Sequence, residues 1–365
     1  MFLLLPSHGA NPHLLLQELK VEEKQSVIDF SVNINPLGVP NRIVELWPFM
    51  QKAAFSYPSV QAEELTVGLA LHLTIKQDEL LVTNGAAEAF FLIAGLLTGK
   101  KSVIVDPTFV EYRQACEVFG CDIVSVPLDE REGWQWSLGS LLDAVPLADA
   151  IWICHPNNPT GVMYPLDEWE VLLEQAKAHN TILIIDEAFL DFVDSPIDFI
   201  PYLKKGYPII LVRSMTKMFH IAGIRLGYII SSPNLISLLS ERQPPWSVNG
   251  VAQQIGVACL RETSFVQETI AFVKKEREWL MEQLLQLGLI ISPSVTNFFL
   301  CSIPNGWSSR GWLTYLAKEG IVARHTENFN GLDGRFIRLA VKTRLENERL
   351  VQVIKKGLTG YVHFC

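Results

Sequence analysis

Short aliphatic runs alternate with amphipathic stretches between about residues 80 and 230. The runs are SVIVD (102–106), DIVSV (122–126), AIWIC (150–154), TILIID (181–186), IILVR (209–213) and GYII (227–230). Their apolar residues fall at successive rather than alternate positions, as in strands covered on both faces. Between them, FVEYRQACEVFG (109–120) and PLDEWEVLLEQAKAH (165–179) carry helical spacing. Strand–helix–strand repetition predicts an α/β fold, with a mainly parallel central sheet and helices on both faces.

The pattern changes after QPPWSVN (243–249). A long helical region is predicted over 250–286, then strands at NFFLCS and RFIRLAV and helices around 308–319 and 345–357, a smaller α+β unit. The first 40 residues are rich in turn formers and read as loop. The division is an arm at 1–40 that packs on the small domain or a partner subunit, a large domain at 41–249, and a linking helix with the small domain at 250–365.

Composition narrows the class. With 49% hydrophobic and 19% charged residues, the chain can bury a large core, which excludes wholesale disorder. A net charge of −9 without any Lys/Arg run disfavours nucleic acid as a partner. Six cysteines form no CxxC pair and are too sparse for a disulfide scaffold or a metal site, so they read as buried thiols in a reducing compartment. The start, MFLLLPSHGANP, lacks a basic region and a cleavage site, and no apolar stretch approaches the ~20 residues of a membrane span. Cytoplasmic placement without a membrane partner is the expectation.

Candidate chemistry lies after the strands, because open α/β sheets bind ligands beyond their strands' carboxyl ends. There the chain places Asn84-Gly85-Ala86 before a helix, His155-Pro156-Asn157-Asn158, Asp186, and Ser214-Met215-Thr216-Lys217 with Arg225 following. Singly, these are turns, caps and solvated charges. Together they supply an amine that can attack a carbonyl, an acid that can hold a pyridine nitrogen protonated, and hydroxyls, a guanidinium and a helix start that grip a phosphate.

The ordered series NGAAE, DPTFVEY, HPNNPTG, DEAF, SMTK and GIRLGY resembles the fold-type-I pyridoxal-phosphate enzymes of the aspartate aminotransferase superfamily. The resemblance implies pyridoxal 5'-phosphate as cofactor. Lys217 then matches the Schiff-base lysine and Asp186 the partner of the pyridinium nitrogen. Asn158 matches the group bonded to the phenolic oxygen, beside a cis Asn158–Pro159 bond, and Phe109 the ring-stacking aromatic. Ser214, Thr216, Arg225 and the Gly85-Ala86 backbone match the phosphate cup. Tyr57 matches a tyrosine lent by a neighbouring subunit, implying a homodimer, and Arg338 the arginine for the substrate α-carboxylate. Phe189 and Ala86 depart from the pattern, each lacking a hydroxyl common in the superfamily.

SHGANP (7–12), DFSVNINPLG (29–38), PWSVN (245–249) and FNGLDGRFIRLAV (329–341) together resemble the L-threonine-O-3-phosphate decarboxylases of cobalamin biosynthesis. That family usually has glycine where Ala10 stands. The resemblance implies that His8, Asn33 and Arg324 surround the phosphate of a small phosphorylated amino acid. Histidinol-phosphate aminotransferase is the alternative, and a non-catalytic pyridoxal-phosphate-fold binding protein a third; the latter lacks support from any added basic segment.

Overall fold

The computed structural model describes residues 5–6, 8–22, 24 and 26–360. Residues 1–4, Ser7 of the first motif and Cys365 lie outside them. The strands in chain order are β1 (Ile28–Asp29), β2 (Leu80–Thr83), β3 (Lys101–Asp106), β4 (Asp122–Asp129), β5 (Gln135–Trp136), β6 (Ala150–Cys154) and β7 (Ile182–Asp186). They continue as β8 (Ile209–Ser214), β9 (Gly227–Ser231), β10 (Phe298–Ser302), β11 (Ile321–Val322), β12 (Arg324–His325) and β13 (Phe336–Ala340).

Eight of them form one sheet in the order β2-β9-β8-β7-β6-β3-β4-β5. The central pairs β8–β7, β7–β6, β6–β3 and β3–β4 are parallel, while β9 runs antiparallel to both neighbours. Alternate residues of each strand feed separate cores. Leu183 and Ile185 of β7 join one, with Ile151 and Ile153 of β6. Ile184 joins the other, with Trp152 and Ile210. Burial on both faces is why the runs of β3, β6, β7, β8 and β9 are so apolar. The run DIVSV of β4 departs from the expectation, with Asp122, Val124 and Ser125 exposed near the edge of the sheet.

The predicted 250–286 helix is two, Gly250–Cys259 and Thr263–Gln286, with Leu260–Glu262 between. Asn249, the last residue of PWSVN, caps the first by accepting the Ala252 N–H at 2.8 Å. The second sheet has the order β10-β13-β12 and closes over a further core with helices Ser309–Lys318 and Arg344–Gly360.

The first forty residues are more ordered than a turn-rich reading suggests. Pro12–Glu18 is a helix burying Leu15 and Leu16 in that further core. β1 pairs in parallel with β11, and Phe30 then donates to the Val322 carbonyl at 2.7 Å and accepts from Ala340 at 2.9 Å. This pairing carries Ser31 to Asn33 toward the carboxyl end of the large sheet.

Candidate active site

β2, β6, β7 and β8 end around one cavity of about 300 Å³. All the residues given a role by resemblance line it except Gly85 and Tyr57, whereas Asn84, His155, Pro156, Asn157 and Met215 do not. It is roofed by His8 to Ala10 and Ser31 to Asn33 from the arm, and by Arg324, Phe329 and Arg338 from the second sheet.

The floor is set by the turns after the strands. After β6 the chain turns at His155-Pro156, and the cis peptide bonds among the described residues are there and at Asp106–Pro107, not at Asn158–Pro159. In this turn Asn157 is structural: its side chain donates to the Pro107 carbonyl and the Thr160 hydroxyl, and its N–H to the Val162 carbonyl. Those bonds close the turn upstream of Asn158, whose own N–H donates to Cys154 Sγ, so no cis bond is required at Pro159 to aim its side chain inward.

At one end, Ala86, Ala87, Ser214, Thr216 and Arg225 meet the start of the helix Gly85–Leu96. The Ser214 and Thr216 hydroxyls lie 2.7 Å apart. Gly85 has φ of +78°, and a Cβ there would stand 2.7 Å from Arg225 Nη2. Glu88 steadies this end by accepting from the Asn84 N–H, Gln243 and Ser247.

In the middle, Asp186 is buried and accepts hydrogen bonds from the Tyr112 hydroxyl and from the Ala188 N–H at 2.9 Å. Burial raises its carboxyl to about 6, against the lowering effect of Tyr112, Ala188 and Lys217. Burial lowers the Lys217 amine to about 8, assisted by Arg225 and Arg338. The Lys217 loop is clamped by Asn35, whose N–H donates to the Lys217 carbonyl at 3.1 Å and whose Nδ2 donates to the Met218 carbonyl and the Thr269 hydroxyl. Phe109 presents its ring edge-on to Phe90 and Tyr112. Phe189 packs on Phe298 and adds no polar group.

At the other end, Arg324 and Arg338 are directly paired across β12 and β13. Arg338 donates to Asn158 Oδ1 at 2.7 Å and to the Ser31 carbonyl at 2.9 Å, while its Nε has no partner among the described residues. Burial lowers Arg324 to about 10, and burial with repulsion from Arg324 lowers Arg338 to about 9. Asn33 is buried with neither side-chain atom hydrogen-bonded. Buried polar groups without partners and like charges side by side both favour a bound anion. His8 Nδ1 lies 3.1 Å from Glu111 Oε1. Ala10 adopts φ of +69°, a left-handed conformation that favours glycine.

Sequence reading missed Glu111, Tyr112 and Asn35. The first two stand inside DPTFVEY, three positions or fewer beyond Phe109, on the helical face that turns back to the sheet. Tyr57 is 85% exposed beside Trp246, on a surface that also exposes Phe49 and Phe55.

These residues fit the pyridoxal phosphate implied by the motifs. One end offers a helix start, two hydroxyls and a guanidinium for a phosphate. A lysine amine, a buried acid and an aromatic ring line the adjoining cavity. Among the described residues no group of His, Cys, Asp or Glu could hold a metal, and no helix is long and apolar enough to cross a membrane.

The family model for aminotransferase class I and II matches residues 25–354. The threonine-phosphate decarboxylase of Salmonella typhimurium is 33% identical over 99% of both chains. The histidinol-phosphate aminotransferase structure from Clostridium acetobutylicum is 30% identical, with a TM-score of 0.86 over 92% of this chain and 100% of that one. The L-threonine-O-3-phosphate decarboxylase structure from Porphyromonas gingivalis is 25% identical, with a TM-score of 0.81 over 91% and 100%.

Proposed function

This chain belongs to the class I and II aminotransferase family of pyridoxal-phosphate enzymes, and on that premise we propose that it decarboxylates L-threonine O-3-phosphate. The products are (R)-1-amino-2-propanol O-2-phosphate and CO2, in cobalamin biosynthesis. The observation that carries this reading is a second cationic end of the cavity, Arg324 with His8 and the unpartnered Asn33, apart from the Ser214–Thr216–Arg225 end. A cofactor phosphate needs only one of them. The decarboxylase relative, alike over nearly its whole length, favours decarboxylation over transamination.

In this assignment Lys217 would hold the cofactor at its carbonyl carbon, and Asp186 would pair with its ring nitrogen. Gly85, Ala86, Ser214, Thr216 and Arg225 grip its phosphate, Asn158 its phenolic oxygen and Phe109 its ring. Bound cofactor supplies a conjugated ring that accepts electrons from whichever Cα bond stands perpendicular to it. Arg338 fixes the substrate carboxylate; Arg324, His8 and Asn33 anchor its phosphate. Two anchors, one for the carboxylate and one for the phosphate, fix the rotation about Cα, and thereby the bond that breaks. Lys217, with its amine near neutral pH, can carry a proton on Nζ once released. Tyr57, from the partner of a homodimer, completes the cofactor's phosphate site.

Purified holoenzyme given threonine phosphate without a keto acid should release CO2 in step with an amino-alcohol phosphate. Slow release there, with fast 2-oxoglutarate-dependent turnover of histidinol phosphate, would replace this reading by the aminotransferase.

A further inference from the structure

Among the described residues, Glu111 is the one carboxylate lining the end of the cavity assigned to the substrate's phosphate. Its Oε1 pairs with His8, while its Oε2 is buried without a hydrogen-bond partner. Arg324 from β12 and Lys217 from the loop after β8 attract it, and Asp186 at the end of β7 repels it. Arg338 stands beyond Arg324 on the neighbouring strand. Once ionised in the free protein, Glu111 is therefore an anion that partly offsets the guanidinium pair and holds the arm through His8.

An incoming phosphate dianion seeks the same donors. A carboxylate and a phosphate only accept hydrogen bonds, so they cannot share this space unless a proton lies between them. We propose that Glu111 determines the specificity of this subsite: a phosphomonoester takes over His8 and Arg324 while Glu111 takes up one proton from solvent and donates it in a hydrogen bond to a phosphate oxygen. Burial already holds the Glu111 carboxyl up at about 7, so the proton is accessible near neutral pH. A singly charged anion exerts about half the Coulomb pull of a dianion on that proton and is disfavoured in proportion. The inference rests on the assignment of His8, Asn33 and Arg324 to the substrate's phosphate.

Isopropyl phosphate is a suitable probe, since it has no amine to react at Lys217. Its binding to the holoenzyme is measured calorimetrically at pH 8.0 in two buffers of different ionisation enthalpy. A carboxyl titrating at about 7 is about nine-tenths ionised there, so uptake of about 0.5–0.9 proton per ligand is expected. Kd should rise several-fold between pH 7.5 and 8.5. Glu111→Gln, whose amide N–H donates without taking up a proton, should bring uptake below about 0.2 and flatten the pH dependence. His8→Gln should keep most of the uptake. Negligible uptake by the wild-type protein, which involves no variant, overturns the proposal, as does full uptake in Glu111→Gln. Failure of isopropyl phosphate to bind at all overturns the phosphate assignment beneath it.

Discussion

Gly85→Ala tests how the cofactor end of the cavity is built, because the structure separates two costs. The first is conformational: a side chain at φ of +78° costs about 1–2 kcal/mol, offset by roughly 0.5 from a less free unfolded chain. The net loss of about 1 kcal/mol should lower the melting temperature of the cofactor-free protein by about 1–2 °C, given ~2.1 cal/mol/K of unfolding entropy per residue. The second is positional. The new Cβ would stand 2.7 Å from Arg225 Nη2, so the guanidinium must withdraw from the phosphate cup. A charge-assisted hydrogen bond is worth about 1.5–3 kcal/mol, which predicts a roughly 10- to 150-fold weaker Kd for pyridoxal phosphate. Absorbance titration of the apoprotein reads that constant. With Arg225→Ala as background, Gly85→Ala should add little to Kd, since the displaced group is gone. Cofactor affinity within twofold of wild type, or an undiminished penalty in the Arg225→Ala background, would refute this account of the cup.

Lys217→Ala should abolish turnover and the visible absorbance of the cofactor-bound lysine; retention of both would remove Lys217 from the role. In the apoprotein, the unfolded lysine keeps its proton from about pH 8 to 10.5 while the folded one has released it. The unfolded chain then binds more protons, so stability should rise with pH across that window, and Lys217→Met should reduce the rise seen in thermal melts. Tyr112→Phe removes a donor that lowers the Asp186 carboxyl, so the acid limb of kcat/KM should move alkaline by about one unit; an unchanged profile would show that Tyr112 does not position Asp186. Tyr57→Ala should weaken cofactor binding in a protein that sediments as a dimer, and a monomeric wild type with full cofactor affinity would exclude a lent tyrosine.

The large sheet was readable because its strands are covered on both faces, which leaves unbroken aliphatic runs such as 150–154 and 182–186. The arm was not. β1 has two residues, and its partner β11 lies at Ile321–Val322, so no local pattern announces the pairing. HPNNPTG contains two X-Pro bonds, and the motif alone does not tell that the cis one is His155–Pro156. Likewise Asn35 reads as a turn former in NINPLG, yet it clamps the Lys217 loop through bonds spanning more than 180 residues. Motif order located the cofactor cluster, whereas Glu111 and Tyr112 gain meaning only from what the folded chain sets opposite them.

The arm's hydrogen bonds to β11 and β13 divide labour along the polypeptide. On the proposed assignment, residues between Asn84 and Arg225 other than Glu111 furnish the generic machinery, and selectivity is delegated to Glu111 and to segments near the two extremities, His8 to Asn33 and Arg324 to Arg338. A scaffold partitioned this way can change its diet by rewriting its margins and one facing carboxylate while leaving the rest of its engine untouched, so chimeras exchanging those segments together with position 111 between relatives are the natural route to new amine products.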